Sequence, residues 1–116
     1  MILQGEFSGR SGHEMTGRFT LRRVRGGYRL ITSNDFFFDA AAPAPAWALG
    51  DPDQSPYPGL VADSIWHKLE PFSPVSGIQY LRVPDHDCFR AARAVITWCT
   101  LTKIPLGEGR VTSATA

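Results

Sequence analysis

Met15-Thr16-Gly17-Arg18-Phe19-Thr20-Leu21-Arg22 is the stretch on which the fold turns. Met15, Gly17, Phe19 and Leu21 fall on one side of an extended chain, and Thr16, Arg18, Thr20 and Arg22 fall on the other. That is the period-two pattern of a half-buried strand. Gly26-Gly27 follows, a turn pair that tolerates positive φ at both positions. Tyr28-Arg29-Leu30-Ile31-Thr32 then resumes as the return strand, so the spacing predicts a hairpin over residues 17–33.

The same punctuation continues outward from the hairpin. Asp35-Phe36-Phe37-Phe38-Asp39 is an aromatic block expected to leave the sheet and plug one end of the core. Pro43 and Pro45 deny the chain a helix or a central ladder position, and Ala46-Trp47-Ala48-Leu49 reads as a short strand. Residues 51–59, Asp51-Pro52-Asp53-Gln54-Ser55-Pro56-Tyr57-Pro58-Gly59, form a polar, proline-punctuated surface loop. Residues 60–69 fit either a strand or a short helical turn. Residues 76–83 alternate again, with Ile78, Tyr80 and Arg82 on one face and Gln79, Leu81 and Val83 on the other. Residues 94–101 are rich in β-branched and aromatic side chains and carry no charge, the mark of a central strand covered on both faces. Pro105 suggests an edge or bend, residues 108–112 a last short strand, and residues 113–116 a loose tail. The expected fold is all-β: a single-domain antiparallel β-sandwich or barrel of about seven to nine short strands, its core over residues 5–112.

Length and composition agree. A chain of 116 residues fits one domain, and its 43% hydrophobic and 20% charged content is that of a globular protein. The net charge is +1, so nothing global attracts nucleic acid or an anionic membrane. Ten of the twelve basic residues are arginine, and Arg18, Arg22, Arg23, Arg25 and Arg29 crowd into one stretch. Such a cluster can be an anion patch, but it fits the solvated face of a hairpin better. No run of 18 apolar residues is present to span a membrane. Met1-Ile2-Leu3-Gln4-Gly5 has neither the basic nor the apolar region of a secretory signal, so an exported form would need a leader outside this sequence.

Chemical motifs are few. Gly-x-Ser-x-Gly, His-Glu-x-x-His and a phosphate-binding glycine loop are all lacking. Gly9-Arg10-Ser11-Gly12 is a glycine-rich turn with no helix after it. Cys99 ends the apolar run Val95-Ile96-Thr97-Trp98-Cys99, where it is either a small core filler or a reactive thiol near an opening. A bridge to Cys88 is not expected: an extended strand rises roughly 3.3 Å per residue, so residues 94–99 alone span about 16 Å. His86-Asp87-Cys88 offers three ligand types but no second pair, so no metal site is predicted. Asp51, Asp53 and Asp63 read as solvated acids.

These pieces, in order, resemble one family. Gly5-Glu6-Phe7 with His13 and Gly17 is similar to the Gly-x-Phe…His-x-x-x-Gly start of the DM-thirteen ("electron transfer") domain family. Residues 30–36 resemble its Leu…Asp-Phe strand end, and Pro45-Ala46-Trp47-Ala48-Leu49 resembles its Pro-Asp-Leu-x-Val-x-Leu segment. Ser76-Gly77-Ile78-Gln79-Tyr80-Leu81-Arg82-Val83-Pro84 is similar to its Gly-x-Gln-x-Tyr-x-x-Pro stretch. Val95-Ile96-Thr97-Trp98-Cys99 is similar to Val-x-Ile-Trp-Cys, and Leu106-Gly107 to the Phe-Gly that follows. The likeness covers residues 5–111, and it departs at Ala46, where the family has aspartate.

The resemblance implies an extracellular or periplasmic accessory domain, not a stand-alone enzyme. It further implies electron-transfer chemistry at Cys99, with Trp98 and His13 nearby, and a redox partner such as a DOMON or b-type cytochrome domain. No cofactor is required by the sequence, while haem and metal stay open. The rival reading, from the residues themselves, is a binding or adhesion module for a glycan, a protein or calcium. It would use the 51–59 loop with Asp51, Asp53, Tyr57 and an exposed Trp47, alongside Trp66, and leave Cys99 purely structural.

Overall fold

The computed structural model describes residues 2–51, 73–85, 93–102 and 104–113. The alternating stretch becomes β2 (Met15–Thr16) and β3 (Arg18–Val24), and its return strand becomes β4 (Gly27–Thr32). Phe19 and Leu21 are buried while Arg18, Thr20 and Arg22 are exposed, as the period of two requires. Val24 lies opposite Gly27, so the tight turn is Arg25-Gly26, one residue earlier than the glycine pair suggests. Gly26 takes φ of 83° there, a value that favours glycine.

The remaining strands are β1 (Ile2–Gly9), β5 (Phe37–Phe38), β6 (Pro45–Gly50), β7 (Tyr80–Pro84), β8 (Ala94–Cys99), β9 (Pro105–Arg110) and β10 (Thr112–Ser113). The protein is all-β, a curled, barrel-like antiparallel sheet in the order β6-β8-β9-β1-β3-β4-β7. β2 and β5 pair separately as a two-stranded sheet, with Met15 opposite Phe38.

β1 joins the two halves of the curl. Ile2–Glu6 pairs with β3, while Phe7–Gly9 pairs with β9. β10 continues the line of β9 along β1, with Thr112 opposite Gln4. Gly5 makes the junction tight: a Cβ there would run into the Phe19 ring and the Arg110 carbonyl.

Inside the curl, Phe7 packs on Phe19 at 4.9 Å between ring centroids and on Phe36 at 5.2 Å, and Trp47 lies 5.7 Å from both Phe7 and Phe36. Leu21, Leu30 and Leu81 stand in one register row across β3, β4 and β7 on the same inner face. The aromatic block does enter the core, Phe36 and Phe38 being buried, but it does so partly as strand β5 while Phe37 faces out. β8 is buried on both faces, as its uncharged sequence requires: Val95 and Cys99 join the main core, and Ala94, Ile96 and Trp98 pack with Ala46 and Ala48. Residues 60–69 lie outside the described residues.

Candidate functional site

Outward side chains of the β10-β1-β3-β4-β7 half form a continuous surface. Thr112, Gln4, Thr20, Ile31 and Tyr80 are successive register partners and make one row across five strands. In the next row Glu6 faces Arg18, and the Arg18 carbonyl accepts the Ser33 amide at 2.8 Å. Twist hollows this face into a groove of about 700 Å³, floored by Gln4, Thr20 and Ile31 and walled by Asn34, Ile78 and Thr112. Hydroxyl and amide groups of Gln4, Thr20, Ser33, Asn34 and Thr112 line it together with the charged Glu6 and Arg18 and the apolar Ile31 and Ile78. The size lies in the range of small-ligand clefts, roughly 300–1,000 Å³. A second hollow of about 470 Å³ lies further along β4 and β7, lined by Arg25, Tyr28, Arg29, Tyr80 and Arg82.

Gln79 fixes the wall of the groove. Its amide oxygen accepts the Trp47 indole N–H at 3.2 Å and the Val75 amide at 3.0 Å, and its amide nitrogen donates to the Ser73 carbonyl at 2.8 Å. Its backbone amide donates to the Thr32 hydroxyl at 2.6 Å, and that hydroxyl donates to the Gly77 carbonyl at 2.8 Å. These bonds hold Ile78 and Tyr80 outward, both more than half exposed.

The cysteine sits elsewhere. Cys99 is a free thiol with no exposed surface, at the end of β8. Hydrogen bonds from the Thr102 side chain and amide draw the thiol below its ordinary pKa, against the opposing effect of desolvation. The Thr102 amide lies 3.4 Å from the sulfur. Trp98, its neighbour in sequence, points to the opposite face of β8 and joins the second cluster. The two are not brought together as one site.

His13 pairs with Asp39 rather than with Cys99. Its Nδ1–H donates to the carboxylate at 2.9 Å, and the Ala41 amide donates to the same carboxylate. Both bonds hold the Asp39 carboxyl below its ordinary pKa, the His13 bond contributing most. A depressed folded-state pKa stabilises the fold above the unfolded value of about 3.9, and that contribution disappears as pH falls through the lower folded value. Asp39→Asn should therefore lower stability near neutrality, where this contribution is present, and approach the parent in acid, which flattens the acid limb of the profile. Denaturant midpoints measured from about pH 6 to about pH 3 check this.

Two expected binding residues change status. Trp47 is fully buried under Phe7 and Phe36 with its N–H taken by Gln79, so it offers no exposed ring to a ligand. Alternation on a strand covered on both faces does not separate inside from outside, which is why the sequence reading exposed it. Asp51 is half-buried at the end of β6, while Asp53, Tyr57, Asp63, Trp66 and the His86-Asp87-Cys88 run lie outside the described residues. Among the described residues no group of three or more His, Cys, Asp or Glu is placed to hold a metal, and no helix is long and apolar enough to cross a membrane.

Fold and surface together define a curled all-β domain with a grooved outer sheet face. Family models, curated proteins and solved structures contain no match to the chain.

Proposed function

We propose that this domain is a non-hydrolytic binding module whose ligand, an extended glycan chain, lies in the groove over β1, β3 and β4. The observation that carries this reading is the five-strand row Thr112-Gln4-Thr20-Ile31-Tyr80, whose first four members line that groove and whose last lines the adjoining hollow. Hydroxyl and amide groups there match sugar hydroxyls, and the exposed Tyr80 ring offers a flat face at the end of the row. Sites of this kind combine apolar contact with a few placed polar groups. The binding surface is thus moved from the 51–59 loop to the sheet face.

Thr20→Trp tests it. Thr20 is exposed on a central strand, and tryptophan is favoured in strands, so the variant should fold with stability within about 0.5 kcal/mol of the parent. Its indole fills the groove floor. Affinity for a panel of linear neutral and acidic oligosaccharides should fall by about tenfold or more, equivalent to ~1.4 kcal/mol. Unchanged capture of every bound oligosaccharide rejects the groove.

A second reading keeps the DM-thirteen likeness and its implied setting, an exported electron-transfer accessory domain beside a DOMON or b-type cytochrome domain. The donated bonds from Thr102 favour it, because they bias Cys99 toward thiolate. Zero exposure weighs against it, since a redox thiol needs access to its partner. Thiol labelling with Cys88→Ser as background separates the two. Under the binding reading Cys99 stays unlabelled until denaturant opens the core, whereas labelling of the native protein within minutes supports the redox role.

A further inference from the structure

Arg22 on β3, Arg29 on β4 and Arg82 on β7 are direct register partners, Arg22 opposite Arg29 and Arg29 opposite Arg82. All three point outward, one row along from Thr20, Ile31 and Tyr80. Side chains at directly opposed positions have Cβ atoms roughly 4.5–5.5 Å apart, so the three arginine side chains arise within about 10 Å of strand width. Like charges placed this way destabilise a sheet. None of the three makes an ion pair or hydrogen bond among the described residues. Two other arginines do have acidic partners: Arg10 meets Glu108 at 2.7 Å, and Arg23 meets Asp85 at 3.1 Å while stacking over Tyr28.

The face of the arginine row is continuous with the groove. Arg29 and Arg82 line the second hollow with Arg25 and Tyr80, and Ile31, the next outward residue on β4, lines the first. We infer that the arginine row binds the sulfate or carboxylate groups of a linear polyanionic glycan whose sugar rings continue over Tyr80 into the groove. The inference rests on the reading of this face as a glycan-binding surface. Guanidinium forks match sulfate and carboxylate oxygens in pairs, which a lysine does not reproduce. A nucleic-acid strand would be served by several stacking rings along a basic channel, whereas among the described residues this face shows one exposed ring, Tyr80, and the chain carries a net charge of only +1. An acidic peptide would gain most by pairing with a sheet edge, and the arginine row lies on the face.

The test is equilibrium binding of the full chain to heparin as the sulfated probe, with dextran, poly-glutamate and single-stranded DNA as comparators, over a range of salt. Heparin should bind best and weaken with salt. Arg29→Ser should weaken it about tenfold, and the Arg22→Ser, Arg29→Ser, Arg82→Ser triple variant should abolish it. Arg29→Lys should restore only part of the affinity. Removing like-charge repulsion should leave the triple variant's denaturation midpoint equal to or above the parent's, which shows that lost binding is not lost folding. Full heparin affinity in the triple variant overturns the proposal, as does binding of poly-glutamate or DNA as tight as that of heparin. If the triple variant still binds heparin while Thr20→Trp blocks oligosaccharides, the anion assignment fails and the groove stands. If both sets of variants bind like the parent, the groove reading falls with it.

Discussion

Trp47→Ala is expected to cost about 3–5 kcal/mol, the usual price of truncating a fully buried aromatic side chain. Small domains hold only about 5–15 kcal/mol in total, so the variant should be largely unfolded or loosely packed at physiological temperature. Three effects combine. The indole leaves a cavity between Phe7 and Phe36, the edge-tilted ring contacts at 5.7 Å are lost, and the amide oxygen of Gln79 loses a donor. Trp47→Phe separates them. It retains a ring in the cavity and removes the hydrogen bond, so it should cost about 1–2 kcal/mol. Urea unfolding followed by far-ultraviolet circular dichroism checks both. A Trp47→Ala cost below about 1 kcal/mol would mean that the ring is not part of the core.

The inner and outer faces of the β3-β4-β7 half were legible in the sequence because one face is dry and the other wet. Leu21, Leu30 and Leu81 alternate with Arg22, Arg29 and Arg82, and the structure places both sets as the alternation requires. β8 was legible as a strand covered on both faces for the complementary reason: it carries no charge. β1 was not identified as a strand, although Leu3, Gly5 and Phe7 do alternate with Gln4, Glu6 and Ser8. Gly5 and Gly9 lower strand propensity, and in the fold Gly5 is there because the Phe19 ring passes where a side chain would be. A close approach between distant segments leaves a weak local signal.

The candidate site was less legible than the fold. Thr20 and Tyr80 look like ordinary outward residues of separate strands, and nothing local puts them in one row with Gln4 and Thr112. Register does that, and register is a long-range property. The arginine cluster shows the same limit. Read along the chain it is the solvated face of a hairpin, and its members are indeed exposed. Only the pairing of β4 with β7 adds Arg82 and turns a hairpin face into an unbalanced row. Cys99 was placed well by its strand, but its accessibility depends on what packs over the strand end.

Gln79→Leu should cost about 2–4 kcal/mol, even though leucine adds apolar volume at a buried position. The reason is the set of partners left behind. The Trp47 indole N–H is fully enclosed and would have no water to turn to, and the Val75 amide and Ser73 carbonyl would lose their bonds as well. An enclosed donor left unsatisfied costs about 1–3 kcal/mol by itself. The loss also reaches the surface, because these bonds fix the segment that holds Ile78 against the groove. Oligosaccharide affinity should therefore fall under conditions where the variant is still folded. Indole-proton exchange of Trp47, followed by nuclear magnetic resonance, should speed up in parallel. The double variant Trp47→Phe, Gln79→Leu removes both ends of the shared bond, so its cost should be smaller than the sum of the single costs by about 0.5–2 kcal/mol. Simple additivity would show that Trp47 and Gln79 act independently, and the groove wall would then be held by Thr32 and the backbone alone.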